Sequence, residues 1–137
     1  MVCQSNEDKT IFKIADFGLS KIISPHERAF ESMGTLPYAA PEIVNDMAYS
    51  KLVDIWSLGV MTYYLVARVL PFDDSYGRFK YVKKKIISKE VDFSRKQWEE
   101  LSDKLIDFIK KCLVKDDEKR MDIDRVLSHP WFKEKQK

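Results

Sequence analysis

The stretch over residues 50–67, SKLVDIWSLGVMTYYLVA, most constrains what this chain can fold into. It is apolar on nearly every face of a helix, and such a helix is normally surrounded by other elements. We therefore expect it to be buried all round in a sizeable core. Asp54 falls inside this stretch, and an unpaired buried carboxylate is very costly. Asp54 should then be buried and should accept hydrogen bonds from nearby donors.

Three further helices are predicted from helical spacing of apolar residues. Phe79, Val82 and Ile86 indicate one buried face of a helix over residues 76–87. A second amphipathic helix is predicted by residues at the same spacing, which are Trp98, Leu101, Leu105, Phe108 and Cys112. A short helix is predicted over residues 123–127.

The first part of the chain has a different character. Residues 11–15, IFKIA, are short, β-favouring and bounded by polar residues, so they predict a strand. Residues 24–38 contain prolines and a glycine without a sustained period, and they predict a long loop. A long loop in a compact domain is usually functional or disordered. The expected fold is mainly α, with a short β element at the N-terminus.

The charge balance limits the kind of partner. The chain has 24 Lys and Arg against 22 Asp and Glu, for a net charge of +2. Mixed charges argue against nucleic-acid binding, which needs a clustered basic face. Residues 83–85, Lys-Lys-Lys, form the densest basic run. They could be a localisation patch, although a solvated helix face is the simpler interpretation.

Cysteine usage and hydropathy indicate the compartment. Cys3 and Cys112 are far apart in the sequence and have no metal-site or disulfide-framework spacing. A reducing, intracellular and cytoplasmic setting fits this usage best. The longest apolar stretch, residues 55–67, is too short to span a bilayer, so no membrane partner is expected.

A series of short motifs then occurs in a fixed order. The motifs are Asp16-Phe17-Gly18, Gly34-Thr35 with Tyr38, Ala40-Pro41-Glu42, Asp54-Ile55-Trp56-Ser57-Leu58-Gly59, Pro71-Phe72, Arg120 and His129-Pro130-Trp131-Phe132. In this order and with these gaps, essentially the whole chain resembles the C-terminal half of a serine/threonine protein kinase domain. The late pattern of Trp98, IDFIKKCL, Arg120 and LSHPWF is similar to the calcium/calmodulin-dependent and calcium-dependent kinases.

The resemblance implies how the chain is divided. Residues 1–132 would be a partial protein kinase domain, followed by a tail over residues 133–137. Within it, residues 1–15 would hold the strand that leads to the metal motif, residues 16–42 the activation segment, and residues 43–132 the helical C-lobe. The implied fold is a kinase-like C-lobe without its N-lobe and catalytic loop.

The resemblance also implies a metal site for ATP. Phosphoryl transfer needs a divalent cation to neutralise charge on the β- and γ-oxygens, and hard carboxylates hold such cations. Asp16 would be that carboxylate for Mg²⁺, Phe17 would pack beneath the site, and Gly18 would permit the backbone turn. Taken alone, an aspartate before a glycine is an ordinary turn residue.

Further roles follow from the same resemblance. The substrate platform, which would hold a protein substrate, is Gly34, Thr35, Tyr38 and Pro41. Thr35 is typical of serine/threonine kinases, and its hydroxyl would bond to the catalytic base.

Four residues are implied to be structural anchors, namely Glu42, Asp54, Trp56 and Arg120. Glu42 and Arg120 would form a buried ion pair that pins the activation segment to the helical body. Without the resemblance, each of these two would be taken for a surface charge.

Glu31 suggests how the activation segment is regulated. Many kinases carry a phosphorylated Ser or Thr three residues before the Gly-Thr pair. Glu31 stands at that position, and a carboxylate there can supply part of the ordering charge through basic residues. We hypothesise that activation-loop phosphorylation is not obligatory, with Ser32 as an alternative phosphosite in the segment.

Several parts of a protein kinase do not occur in this sequence. They are the Gly-rich phosphate loop, the strand lysine with its helix glutamate, and the catalytic loop with its base. The implied parent reaction is transfer of the ATP γ-phosphate to a protein Ser or Thr. No catalytic residue is present, so we expect these 137 residues alone to be inactive and to leave an apolar face of the 50–67 helix exposed. The alternative function is a non-catalytic lobe that binds proteins or acts as a decoy.

Overall fold

The computed structural model describes residues 2–6, 9–24, 26–31, 34–73 and 76–133. An antiparallel hairpin opens the chain, with β1 over Val2–Asn6 and β2 over Lys9–Lys13. The α-helices in the described ranges are α1 Pro41–Val44, α2 Leu52–Ala67, α3 Phe79–Ser88, α4 Asp103–Cys112 and α5 Ile123–Ser128. Short 3₁₀ turns lie at Leu36–Tyr38, Lys96–Trp98 and Pro130–Lys133. The predicted fold, mainly α with a short N-terminal β element, is confirmed.

The elements match the predictions in kind and differ at their ends. The strand predicted at residues 11–15 is β2, which ends at Lys13. Its partner β1, VCQSN, was not predicted because it carries no alternation of apolar and polar residues. None of the helices in the described ranges is long and apolar enough to cross a membrane.

Two helix predictions are wrong in detail. Trp98 is not part of α4 but lies in a separate 3₁₀ turn. The helix begins only at Asp103 because the Ser102 hydroxyl accepts a hydrogen bond from Lys104 N at 3.2 Å, which caps its N-terminus. Phe79 does not lie on the buried face of α3. As the first residue of the helix it is 71% exposed, whereas Val82 and Ile86 are buried.

The core forms around α2. Trp56 and Val60 are fully buried, and Trp56 stacks on Phe72 with ring centroids 5.5 Å apart. Helix α4 approaches most closely at Gly59, where an added Cβ would lie only 2.6 Å from the Cβ of Cys112. The absence of a side chain on Gly59 therefore sets the distance between α2 and α4.

Helix α2 is not surrounded on every side, although its apolar pattern alone predicted burial all round. Tyr64 and Leu65 are exposed, Leu65 to 56%. No element in the described ranges covers this side of the helix. The structure thus shows the uncovered apolar face that the sequence led us to expect for this chain.

The end of the described chain closes over α4. The His129 ring is buried against Phe108, with centroids 5.3 Å apart, and its Nε2 lies 3.2 Å from the Asp107 carboxylate. Its Nδ1 accepts a hydrogen bond from Trp131 N at 3.3 Å. Because Nδ1 accepts, Nε2 carries the N–H and donates a hydrogen bond to the Asp107 carboxylate. His129 thereby fastens the last turn of the structure to α4.

Lys115 is a cation held against the aromatic core. Its Nζ lies 3.9 Å from the centroid of the Phe72 ring and 5.0 Å from that of Trp56. The same Nζ donates a hydrogen bond to Ile86 O at 2.6 Å. Burial lowers the pKa of Lys115 from 10.5 to about 8. The lysine joins the end of α3 to the core, and its burial there has an electrostatic cost because it disfavours the charged form.

This cost predicts a pH dependence of stability. Between about pH 8 and about pH 10.5 the unfolded state keeps a proton on Lys115 that the native state has released. The unfolded state then binds more protons, so the contribution of Lys115 to stability rises with pH in this window. The free energy of unfolding, measured with urea, should increase from pH 7 to pH 10 relative to that of a Lys115→Met variant.

The control is Lys96→Met, at an exposed position of the 3₁₀ turn. Its pH profile should run parallel to that of the wild type. Parallel profiles for the wild type and Lys115→Met would show that Lys115 has an ordinary pKa.

Candidate functional site

A cleft of about 710 Å³ opens between the segment that follows β2 and the first turns of α2. It is lined by residues 18–21, 23, 31, 34 and 35 of the loop, by Tyr38 of the 3₁₀ turn and by residues 53, 54 and 57 of α2. The predicted functional residues that line it are Gly18, Glu31, Gly34, Thr35, Tyr38 and Asp54. Residues distant in sequence therefore share one concave surface.

The Asp-Phe-Gly triplet lies beside the cleft on a tight turn. Asp16 has a left-handed backbone, with φ of 67°, which aspartate tolerates better than most residues. The turn is closed by Ser20, whose backbone N and side-chain Oγ donate to Phe17 O at 3.0 and 2.7 Å. Asp16 is exposed, and a Cβ added to Gly18 would lie 3.5 Å from its Oδ1. The carboxylate is thus accessible to a ligand.

Phe17 does not pack beneath the site. It is 66% exposed, and its apolar neighbours Ile14 and Leu19 are exposed as well. The expectation of a buried Phe17 is wrong in this structure because no element in the described ranges covers this side of the turn.

The resemblance implies that Asp16 is a ligand of Mg²⁺. The described residues contain no group of three or more His, Cys, Asp or Glu that could hold a metal ion. Mg²⁺, however, is usually bound through one or two carboxylates together with substrate phosphates and water. An accessible carboxylate on a fixed turn fits one of those positions.

The platform residues are held from below by α2. Tyr38 N donates to Thr35 O at 3.0 Å, which closes the 3₁₀ turn, and Ser57 Oγ of α2 lies 3.0 Å from Tyr38 O. Gly34 has φ of +116°, a conformation in which a side chain would be strained. Thr35 is exposed at the cleft, and its hydroxyl makes no capping hydrogen bond to the 3₁₀ turn. Ser57 is a supporting residue that the sequence analysis did not assign.

Glu31 has a basic partner inside the loop. Lys21 Nζ lies 3.3 Å from Glu31 Oε2, and both side chains line the cleft and are largely exposed. An exposed pair of this kind contributes about 0.2–1 kcal/mol. Lys21 was missed in the sequence analysis, since nothing local marks it as a partner for a residue ten positions away. Ser32, the alternative phosphosite, lies outside the described residues.

A second fastening holds the middle of the loop to the helical body. Ala29 and Tyr49 form a β-bridge with N–O distances of 2.8 and 2.9 Å. Next to it, Arg28 Nη1 donates to Asp117 Oδ2 at 3.0 Å and lies 3.3 Å from Ala48 O. The loop is therefore tied both to the approach of α2 and to the turn after α4.

Asp54 differs from its prediction. It lies in the first turn of α2, lines the cleft and is exposed rather than buried. No hydrogen bond to its carboxylate is found within the part of the chain that the structure describes. Partial desolvation raises the pKa of this carboxyl. The prediction was wrong because an apolar helix indicates burial without indicating which of its sides stays open.

Below the cleft, Glu42 and Arg120 meet in a buried ion pair. Arg120 Nη1 and Nη2 donate to the two carboxylate oxygens of Glu42 at 2.7 and 2.9 Å. The guanidinium also donates from Nε to Val114 O and from Nη1 to Leu52 O, each at 3.0 Å. It lies 5.2 Å from the Trp56 ring centroid. The pair therefore joins α1, the start of α2 and the segment after α4.

The remaining predicted residues lie in the core beneath the platform. Pro41 is buried at the first position of α1, where its fixed φ suits a helix start and its missing N–H costs no hydrogen bond. Trp56 is fully buried between Phe72 and the Arg120 guanidinium. The structure brings Glu42, Trp56 and Arg120 together, with Pro41 beside Glu42 at the start of α1, and none of these four residues lines the cleft.

The geometry predicts a large and asymmetric stability effect for the pair. Glu42→Leu removes one charge and leaves Arg120 buried and uncompensated, which should lower the free energy of unfolding by about 3–5 kcal/mol. Replacing both residues, with Glu42→Leu and Arg120→Met, should cost less than the sum of the two single changes. Urea unfolding of the four proteins gives this coupling directly.

The matched control is Arg125→Met, at an exposed arginine of α5. It should change the free energy of unfolding by less than about 0.5 kcal/mol. Additive effects of the Glu42 and Arg120 changes would mean that the pair is not an energetic unit.

Comparison with known proteins gives consistent matches. A family model described as the protein kinase domain matches residues 1–132. A probable myosin light chain kinase from Dictyostelium discoideum is 37% identical over 137 residues, covering 98% of this chain and 34% of that protein. Myosin light chain kinase A from the same organism is 39% identical over 134 residues, covering 97% of this chain and 44% of that protein.

A mammalian relative shows the same relationship. Calcium/calmodulin-dependent protein kinase type IV from Mus musculus is 40% identical over 119 residues, covering 87% of this chain and 25% of that protein. The chain spans less than half the length of each of these three relatives. With its cleft built between the Asp-Phe-Gly turn, the Gly-Thr platform and α2, the chain belongs to the protein kinase family and is similar to serine/threonine kinases of the calcium/calmodulin-dependent group.

Proposed function

We propose that this chain is the part of a serine/threonine protein kinase that supplies the metal carboxylate and the protein-substrate platform. The parent reaction is transfer of the γ-phosphate of ATP to a protein Ser or Thr hydroxyl. The observation that carries the proposal is the cleft, which Gly34, Thr35 and Tyr38 line together with Glu31. Residues 1–15, 16–42 and 43–132 are then the strand region, the activation segment and the helical C-lobe.

Each part has a defined task in this proposal. Asp16 would hold Mg²⁺, which supplies positive charge to the phosphate oxygens of ATP when bound. Thr35 and Tyr38 would orient the backbone of the protein substrate. The Glu42–Arg120 pair would keep the platform at a fixed height above α2. The site acts on proteins in the cytoplasm, without nucleic acid or membrane as partner.

The 137 residues by themselves would not transfer phosphate. The sequence holds no catalytic base and no phosphate-binding lysine of the kind the family uses. The second candidate function is therefore a protein-binding lobe or decoy. Its support is that the platform is held by contacts within this chain, namely Ser57 to Tyr38 and Arg120 to Glu42.

A chimeric kinase tests the proposal. This chain would replace the matching 134 residues of myosin light chain kinase A from Dictyostelium discoideum, to which it is 39% identical. Transfer of labelled phosphate from ATP to a serine peptide is the measurement. The chimera should be active, and Asp16→Asn should lower its rate on the order of 100-fold or more, because the neutral amide would hold less tightly the Mg²⁺ that neutralises charge on the transferred phosphate. The isolated chain should show no transfer.

Asp46→Asn is the matched control. Asp46 is also exposed and also has a left-handed backbone, with φ of 53°. An Asp16→Asn chimera as active as this control would contradict the metal role. A folded but inactive wild-type chimera would contradict the kinase proposal, and capture of a serine peptide by the isolated chain would favour the binding lobe.

The same chimera tests the role of Glu31. We propose that the Glu31 carboxylate, paired with Lys21, orders the activation segment without phosphorylation. Glu31→Ala and Lys21→Ala should each lower activity by up to about fivefold, as expected for an exposed pair worth up to about 1 kcal/mol. The double variant should be no worse than either single variant. Glu99→Ala, at an exposed residue on the far 3₁₀ turn, is the control. Normal activity of Glu31→Ala would refute the hypothesis.

A further inference from the structure

Helix α3 carries an unusual concentration of positive charge. Residues 78–89, RFKYVKKKIISK, contain six Lys and Arg and no Asp or Glu. The chain as a whole has a net charge of only +2, so this segment stands out from a balanced background. The proposed kinase site does not use these residues, because none of them lines the cleft.

The structure sorts this segment into two sides. Val82 and Ile86 are buried in the core, which fixes the rotation of the helix. Lys85 turns toward the body and donates to Asp73 O. The outward side, which we call the α3 basic face, consists of Lys80, Lys83 and Lys84 with Phe79 and Ile87 at its two ends, all exposed. Their spacing of three and four residues places them on one surface of the helix.

The α3 basic face is electrostatically unfavourable when it stands alone. The first turn of α3 contains no acidic residue and holds Lys80, which opposes the helix dipole. Lys80 also lies one turn from both Lys83 and Lys84, and like charges at these spacings repel. A polyanion on this face would relieve both effects at once.

Exposed aromatic rings border the same face. The Arg78 guanidinium lies 4.0 Å from the ring centroid of Tyr81 and 4.9 Å from that of Tyr76. These contacts hold two exposed tyrosines beside the exposed Phe79 at the start of the helix. Tyr, Phe and Arg are enriched at protein–protein interfaces, where they serve as anchors.

The chemistry of the face discriminates between polyanions. A membrane-surface helix needs a continuous apolar face to enter the lipid. In α3 that apolar side, Val82 and Ile86, is already buried in the core, and Lys83 separates the two exposed apolar residues Phe79 and Ile87. The aromatic border and interrupted charge suit a polypeptide with acidic residues around apolar ones.

We propose that the α3 basic face is a docking site for an acidic segment of a protein partner. Helix α3 packs against α1 and against the 3₁₀ turn at Leu36–Tyr38. A partner docked there would therefore bind a helix that packs against the elements carrying the platform residues Tyr38 and Pro41. The site does not depend on phosphoryl transfer, so it can be tested whether or not the kinase proposal holds.

Binding of a defined peptide tests this site on the 137-residue chain. The probe is fluorescein-labelled Glu-Glu-Phe-Glu-Glu-Leu-Glu-Glu, and its affinity is measured by fluorescence anisotropy. The same peptide with Gln in place of Glu should bind at least about tenfold more weakly. The variant Lys80→Glu/Lys84→Glu should also lose at least about tenfold in affinity, and raised salt should weaken binding of the wild type.

The matched control is Lys96→Glu/Lys133→Glu, which changes net charge equally at exposed lysines away from α3. It should bind within about twofold of the wild type. Lys80→Glu places an acid in the first turn of α3, so the thermal midpoint should not fall, and lost binding cannot be attributed to a melted helix. Equal loss in both variants, no binding by the wild type, or binding only to phosphatidylserine vesicles would each overturn the proposal.

Discussion

The rest of the structure depends on the buried guanidinium of Arg120. Its donors reach the Glu42 carboxylate, the first carbonyl of α2 and the carbonyl of Val114 after α4. A buried arginine cannot give up its charge, so every one of these partners has to be in place for the fold to be stable. Arg120 thereby holds α1, the start of α2 and the segment after α4 in one arrangement.

The cleft has a floor that is held by buried contacts of this anchor and a wall that is held by more exposed ion pairs. The floor is α1, the platform turn and α2, which are joined by the buried pair and by Ser57. The wall is the loop over residues 18–31, held by Lys21–Glu31 and Arg28–Asp117, whose side chains are more exposed. Exposed pairs are weak and screened by salt. A change in charge at these exposed residues would therefore alter how the wall is held and leave the floor unchanged.

The sequence was sufficient for elements whose information is local. Helical periodicity located α2, α3, α4 and α5, and the motif order identified the family. The ends of the helices were less certain, as α4 shows. The helical spacing of apolar residues begins at Trp98, but the helix itself begins only after the Ser102 cap. Arg28–Asp117 joins residues 89 positions apart, so no local pattern could reveal it. Asp54 was misplaced because apolar character specifies burial but not which element provides it. Phe17 was misplaced because its burial was implied by the resemblance, and no element in the described ranges covers it.

Helices α2 and α3 both expose side chains, and the physical meaning differs. On α2, Tyr64 and Leu65 belong to a helix that is apolar all round, so their exposure leaves apolar surface in water. On α3 the apolar side is already buried at Val82 and Ile86, and what remains outside is hydrated lysine. The exposed side of α2 thus favours permanent cover by another element. The exposed side of α3 is stable in water and suits a partner that binds and leaves, because charge complementarity raises association rates more than it raises affinity.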